Sequence, residues 1–313
     1  MPALNILFMG TPDFAVPCLK ALLQSQHNVV AVVSQPDRKV GRGRKLAKPP
    51  VAALAVESNC PLFQWDRLSS ESYETLREFP IDLAVVVAYG KILPQRYLDL
   101  PTHGCLNVHS SLLPKWRGAA PIQWAVINGD VLSGVTIMKL DAGMDTGDVA
   151  AQRQIAIGPN MTAGTLHDQL SVMGADVLLE VVNSIAEGRA RFTPQDHSQA
   201  THARRLEKRD GAVNWDQDNA LVHNHIRGMH PWPGAYIPSE FGPIKIHSSI
   251  LCLNTGTPGT IIEITSDGPV LACRSGSVCL TQVQRPGKKT VSGGEFVRAY
   301  NLTVGHTIEQ ALS

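Results

Sequence analysis

The 313-residue chain is 43% hydrophobic and 18% charged, with a formal charge of +1. That length and apolar content permit a real core in two domains or one large one. The near-neutral balance excludes a polycation, so any contact with nucleic acid has to come from local basic patches. The longest uninterrupted apolar run, "LAVVVAY" at 83–89, is far short of a membrane span. The N-terminal "MPALNILFMGTPDF" carries no basic residue ahead of its apolar run, so no signal peptide is expected. Six cysteines (18, 60, 105, 252, 273 and 279) lack C-x-x-C spacing and read as reduced, buried thiols of a soluble cytoplasmic protein.

In chain order, "LNILFM" (4–9) reads as a strand ending at Gly10, followed by a turn and a helix for which Thr11 is the expected N-cap. "NVVAVVS" (28–34) is a second buried strand. Helical pattern returns near 50–58 and 69–78, and "IDLAVVVA" (81–88) is the third strand. "CLNVH" (105–109) and "GVTIMKL" (134–140) are the fourth and fifth, with "VAAQRQIAI" (149–157) at an edge. Leu166, Leu170, Met173, Val177, Val181 and Ile185 recur at spacings of three and four, which predicts a long amphipathic helix ending near Gly188. β-branched runs alternating with helices predict an α/β fold whose mostly parallel sheet is covered on both faces. After about 190 the chain turns polar and aperiodic, as a linker does. From 213 short strands follow at close spacing between Gly and Pro, which predicts a small antiparallel barrel or sandwich, with helices at 219–228 and 292–300.

A dinucleotide fold needs glycines that let the backbone approach a pyrophosphate, yet the first turn here is "GTPDFA", with one Gly and an Asp. A nicotinamide dehydrogenase is therefore disfavoured. The fourth strand offers more. Residues two apart on a strand share a face, so Asn107 and His109 project together from the C-terminal end, where open α/β sheets place their ligands. An amide beside an imidazole suits stabilising an oxygen that gains negative charge and then moving a proton. The competing reading is a pair of satisfied polar groups at a strand end. Asp141, Asp145 and Asp148 follow the fifth strand in "LDAGMDTGD". One of them can orient His109, the spacing fails the Ca²⁺-loop pattern, and an Asp/Gly-rich turn explains all three equally well.

At this point "NVHSSLLPKWRGAAPIQWAVINGD", followed by "GVTIMKLDAGMDTGD", resembles the methionyl-tRNA formyltransferases. The likeness runs from "GTPDFAVPCLKALL" and "QPDRKVGRGRK" through "VVVAYGKILP" to the less specific "PWPGAY" and "GTII". The resemblance implies a Rossmann-like catalytic domain (1–189), a linker (190–208) and a C-terminal OB-like β-barrel that binds tRNA (209–313). It implies formyl transfer from 10-formyltetrahydrofolate, a co-substrate, to the amino group of initiator methionyl-tRNA, with no metal, no membrane and a monomeric chain. It makes Asn107, His109 and Asp145 the catalytic set. Ser111, Leu112, Leu113 and Pro114 would line the folate site, with backbone of Ala88, Tyr89 and Gly90 and of Asp141, Gly143 and Met144 on the pterin. Many relatives have Gly where this chain has Ser110, and often Asn where it has His230.

"DRKVGRGRKLAK" (37–48) holds six basic residues, and flexible cations suit phosphate contacts with an acceptor stem. A solvated surface loop is the plain alternative. By the resemblance Arg42 is the leading residue, with Arg38, Lys39, Arg44 and Lys45 beside it. Lys288 and Lys289 of "RPGKK" form a second patch. His223, His225 and His230 lack acidic or thiol partners nearby, so no metal site is expected of them; Trp116 and Trp232 read as packing residues, with substrate contact the alternative for an exposed Trp116 beside Arg117. The nearest rival function is formyl transfer to an amino-sugar nucleotide, which the basic segments disfavour. A non-catalytic RNA-binding module has no use for the Asn-His-Asp trio. A folate hydrolase, using water as acceptor, is expected to carry a further N-terminal domain.

Overall fold

The computed structural model describes residues 2–40, 45–239 and 242–311. Contacts divide the chain into two compact units, one of residues 1–118, 133–155 and 167–202 and the other of 119–132, 156–166 and 203–313. In chain order the elements begin with β1 (Asn5–Gly10), α1 (Val16–Leu23), β2 (Asn28–Ser34), β3 (Arg38–Val40) and β4 (Lys45–Ala47). Next come α2 (Pro50–Glu57), β5 (Leu62–Gln64), α3 (Ser70–Arg77), β6 (Leu83–Val87), α4 (Gln95–Leu98) and β7 (Cys105–His109). Then follow β8 (Arg117–Gly118), α5 (Pro121–Ile127), β9 (Leu132–Lys139), β10 (Val149–Ala156) and α6 (Ala163–Ala186).

The first unit is built on a seven-stranded sheet in the order β10-β9-β7-β6-β1-β2-β5. β5, β2, β1, β6 and β7 run parallel. Their apolar runs are buried along nearly their whole length because helices cover both faces. Leu7, Met9, Val33, Ala84 and Val86 share one face with Leu76 of α3 and Tyr97 of α4. On the other face α6 comes so close that a Cβ on its Gly174 would stand 2.9 Å from Val108 Cγ1. Cys18, Leu19 and Leu22 of α1 are fully buried, and each such leucine contributes about 1.5–3 kcal/mol. Gly10 is required by packing: a Cβ there would lie 2.8 Å from the Phe8 ring and 3.0 Å from the Val87 carbonyl.

Three expectations need correction, and the mostly parallel sheet holds one strand whose direction the sequence left open. Thr11 caps no helix. Its Oγ1 donates to the Tyr89 carbonyl at 3.2 Å, and α1 has Ala15 at its N-cap. The fifth predicted strand, β9, runs antiparallel to β7, with His109 beside Thr136 and Leu106 beside Lys139. The loop that follows therefore starts level with Leu106 and has to fold back to reach His109. The basic segment contains a hairpin, in which Arg38 pairs with Ala47 and Lys39 with Leu46. Four cysteines are buried and none is disulfide-bonded, but Cys60 and Cys252 are only half-buried. Among the described residues one helix, α6, has the length and composition of a membrane span, and half of its apolar stretch is buried in the protein.

After α6 comes β11 (His202–Ala203), and the second unit then adds α7 (Asn219–Gly228), β12 (Ala235–Ile237), β13 (Ile244–Cys252), β14 (Ile261–Ile264), β15 (Pro269–Ala272), β16 (Ser277–Gln284), β17 (Thr290–Ser292) and α8 (Gly293–Tyr300). β12, β13, β16, β15 and β14 form an antiparallel sheet in that order, with β17 paired to β16. Its core gathers Val222 and Ile226 of α7, Ile244 and Ile246 of β13, Leu280 and Val283 of β16 and Phe296 of α8. "SGGE" starts α8 as a capping box: Ser292 Oγ accepts from Glu295 N at 3.2 Å, and Ser292 N donates to Glu295 Oε2 at 2.9 Å.

Candidate active site

β7 carries Cys105, Asn107 and His109 on one face, the face that also holds Ala84 and Val86 of β6. Apolar packing anchors the lower part of that row, and the polar pair comes at its C-terminal end. Asn107 is half-buried, and its side-chain amide has no hydrogen-bond partner among the described residues. A half-buried amide with unused donors is what an incoming anion or carbonyl oxygen requires.

His109 is 6% exposed. Its Nε2 lies 3.0 Å from the Trp116 carbonyl. A carbonyl only accepts, so Nε2 carries the proton. Nδ1 then faces Asp145, whose Oδ1 is 3.7 Å away, wider than a hydrogen bond. The other carboxylate oxygen, Oδ2, accepts from the Gly118 amide at 2.8 Å. Backbone groups of Trp116 and Gly118 thus touch both His109 and Asp145. Asp145 has a left-handed backbone (φ 54°), which aspartate tolerates better than most residues. Of the three acidic candidates only Asp145 meets the imidazole. The Asp141 carboxylate is spent within its own loop, accepting from Gly143 N at 3.0 Å and Thr146 Oγ1 at 2.8 Å.

The segment Ser111–Pro114 is fixed at four points. Ser111 Oγ donates to the Lys115 carbonyl at 2.6 Å, Thr136 Oγ1 donates to the Ser111 carbonyl at 2.7 Å, and Leu113 N donates to Thr136 Oγ1 at 3.1 Å. Gln152 Nε2 also donates to the Leu113 carbonyl at 2.7 Å. Leu112 and Pro114 are half-buried, whereas Ser111 and Leu113 are buried. Ala88 and Gly90 are exposed with φ of 46° and 82°, and they flank Tyr89, which is buried. The Tyr89 hydroxyl has no partner among the described residues, and burial pushes its pKa up to about 12. Gly143 and Met144 are exposed. Three of the five left-handed non-glycine residues described, Ala88, Trp116 and Asp145, belong to this site. Such clustering is typical of functional loops.

Sequence reasoning missed the residues that hold the site. Thr136 had a signal, as a lone hydroxyl inside the buried run "GVTIM". Gln195, whose Nε2 donates to the Asp145 carbonyl at 2.9 Å, lay in the stretch read as linker and had none, and the Trp116 and Gly118 groups are backbone. Among the basic candidates, Arg38, Lys39 and Lys45 are exposed on the β3–β4 hairpin, and Arg38 Nη2 donates to Gln35 Oε1 at 3.2 Å. Arg42 and Arg44 lie outside the described residues. In the second unit Lys288 and Lys289 are exposed in the turn between β16 and β17. There His223 is bound to Ser249 Oγ at 3.0 Å and to the Pro159 carbonyl at 3.1 Å. No group of three His, Cys, Asp or Glu among the described residues is arranged to hold a metal. Trp232, expected to pack, is 49% exposed, and Trp116 is half-buried.

The sequence model of the formyl transferase family matches residues 4–182, and that of the formyl transferase C-terminal domain matches 205–301. The chain is 43% identical over 312 residues to the methionyl-tRNA formyltransferase of Geobacter sulfurreducens, covering 99% of this chain and 98% of that protein. It is 43% identical over 311 residues to the methionyl-tRNA formyltransferase of Acetivibrio thermocellus, covering 98% of this chain and 100% of that one. Among solved structures, the N-formyltransferase of Helicobacter canadensis, in complex with folinic acid and dTDP-3-aminofucose, superposes with a TM-score of 0.67 at 19% identity, over 88% of this chain and 98% of that one. HypX of Aquifex aeolicus in complex with tetrahydrofolic acid gives 0.62 at 16% identity, over 95% of this chain and 47% of that one. At such identities these two structures speak to the fold.

Proposed function

The chain belongs to the formyl transferase family, and from that membership we propose that it transfers the formyl group of 10-formyltetrahydrofolate to the methionine amino group of initiator methionyl-tRNA. The observation that carries the reading is the unpartnered Asn107 amide beside a His109–Asp145 pair whose nearer atoms are 3.7 Å apart. The acceptor assignment rests on relatives of that name that match this chain nearly end to end.

The residues divide the work as follows. Asn107 donates an N–H to the formyl oxygen as the amine attacks and that oxygen becomes anionic. His109, held through Nε2 by the Trp116 carbonyl, presents its Nδ1 edge toward Asp145, and the amine's proton passes at this edge. As the bond between the formyl carbon and the folate N10 breaks, N10 keeps the electron pair and takes a proton. The products are formylmethionyl-tRNA and tetrahydrofolate. The braced Ser111–Pro114 segment would line the folate site. The exposed backbone at Ala88 and Gly90 and at Asp141, Gly143 and Met144 would receive the pterin. On the first unit, Arg38, Lys39, Arg42, Arg44 and Lys45 would contact tRNA phosphates; on the second, Lys288 and Lys289 would do so. The enzyme would act as a cytoplasmic monomer.

The test is formyl transfer from 10-formyltetrahydrofolate to charged initiator tRNA, with uncharged tRNA and a dTDP-amino sugar as alternative acceptors. Product with charged tRNA alone supports the reading. Product with the sugar alone moves the chain to the amino-sugar branch, and folate turnover without any acceptor makes it a hydrolase.

A further inference from the structure

We propose that Gln195 is a positioning residue for formyl transfer, a buried brace that, backed by Arg117, holds Asp145 against His109. The inference rests on the function proposed above and names how that site keeps its geometry.

The amide of Gln195 is satisfied at both ends. Nε2 donates to the carbonyl of Asp145 at 2.9 Å and to that of Gly147 at 2.7 Å, while Oε1 accepts from Arg117 Nη2 at 2.7 Å and Nε at 3.2 Å. Carbonyls only accept and a guanidinium only donates, so the amide has one possible orientation. Gln195 and Arg117 are both buried, and Arg117 Nη2 is further fixed by His197 Nδ1 at 3.0 Å.

The contacts close into a ring. From the Asp145 carbonyl they run through the Gln195 amide to the Arg117 side chain, along the backbone to the Gly118 amide, and back to Asp145 Oδ2. Asp145 is thus tied at its backbone and at its carboxylate by one strap, and the same strap presents the Trp116 carbonyl to His109 Nε2. A loop residue in the left-handed region, flanked by the exposed positions 141–144, needs such fixation to keep a carboxylate oxygen 3.7 Å from an imidazole. Glutamine is the residue type the position calls for. A carboxylate would pair with Arg117 but could not donate to the two carbonyls, and an apolar isostere would leave the buried Arg117 with His197 Nδ1 alone as side-chain acceptor.

The experiment compares the full chain with Gln195→Glu, singly and in an Asp145→Asn background. In the single variant kcat is expected to fall about 10- to 100-fold, with KM for both substrates within about 3-fold. Its thermal midpoint is expected to fall, because the Asp145 and Gly147 carbonyls lose their donor, so the readouts that decide are the Asp145→Asn background and the His109 resonances. In the Asp145→Asn background the same substitution is expected to cost less than about 3-fold, since it acts through Asp145. A kcat within about 3-fold of the parent, or an undiminished loss in the Asp145→Asn background, overturns the proposal. The ring ¹⁵N resonances of His109 provide a readout that needs no turnover. They shift in Gln195→Glu if Asp145 moves, and unchanged resonances overturn the role even where the chain proves inactive in formyl transfer. Inactivity of the parent chain alone counts against the proposed function, and a shift would still support the brace.

Discussion

Asn107→Ala separates catalysis from stability more cleanly than any other change at this site. The amide is half-buried and makes no side-chain hydrogen bond among the described residues, so its removal leaves no partner unsatisfied. The stability cost should stay within about 1 kcal/mol, the range for a substitution that breaks no buried contact. The kinetic cost should be far larger. An oxyanion donor acts mainly in the transition state, and deleting one typically lowers kcat by about 10²–10³, or about 2.7–4 kcal/mol. Initial rates of formyl transfer at saturating folate, over a series of charged tRNA concentrations, read kcat and KM separately, and urea unfolding reads stability in parallel. The expected result is a kcat lowered at least 100-fold with both KM values within about 3-fold. If kcat stays within about 5-fold of the parent, Asn107 does not meet the developing charge. If the urea midpoint collapses together with kcat, the amide has a structural duty that the contacts do not reveal.

Gly147→Ala tests the loop that carries Asp145: a Cβ there would stand 1.8 Å from the Lys139 carbonyl, so a stability loss of about 1–3 kcal/mol and a lower kcat are expected, read by urea unfolding and steady-state rates. In the second unit, the Arg204 hydrogen bond holds the Asp210 carboxyl down to about 2. A carboxyl lowered by folding stabilises above its ordinary value of 3.8 and loses that contribution as pH falls toward about 2. Asp210→Asn should therefore lower the thermal midpoint at pH 6, and the gap should narrow on acidification through that window; a gap constant with pH would contradict it. Burial pushes the Cys18 and Cys105 thiols up to about 12 and Cys273 to about 11. Brief alkylation of the native chain at pH 8, followed by peptide mass spectrometry, should therefore modify half-buried Cys60 and Cys252 first.

Where burial decides an element, the sequence announced it. The runs at 28–34 and 105–109 are strands with those bounds, because a continuous apolar run has one stable environment. The three-four spacing from Leu166 to Ile185 marks α6. Strand direction was a different matter. β9 looks like its parallel neighbours residue by residue, and only its pairing with β7 shows it antiparallel. The β3–β4 hairpin is short and polar, so no alternation separates it from a loop. Asn107 and His109 were legible because a strand end carrying two polar side chains on one face is unusual. Which aspartate faces His109 was not legible without the family likeness, since Asp141 and Asp145 differ only in what their loop does with them.

That difference explains how the site is built. β7 is packed on both faces, so Asn107 and His109 inherit their positions from the core. Asp145 has no such support: it comes from a loop that leaves β9 level with Leu106 and has to return. Left-handed backbone at Ala88, Trp116 and Asp145 costs of order 1–3 kcal/mol each, and such conformations persist only where neighbours over-determine them. At Asp145 the neighbours are the Gly118 amide and Gln195, and at Ala88 the following carbonyl, of Tyr89, accepts from Thr11 and from Gln35. At Trp116 the carbonyl is taken by His109 and the amide donates to Thr201 Oγ1 at 2.9 Å. Each strained residue is thus held by hydrogen bonds to groups distant in sequence. A local reading of sequence cannot see such bonds, which is why Asn107 and His109 could be singled out at their strand end and the groups that hold the neighbouring loops could not.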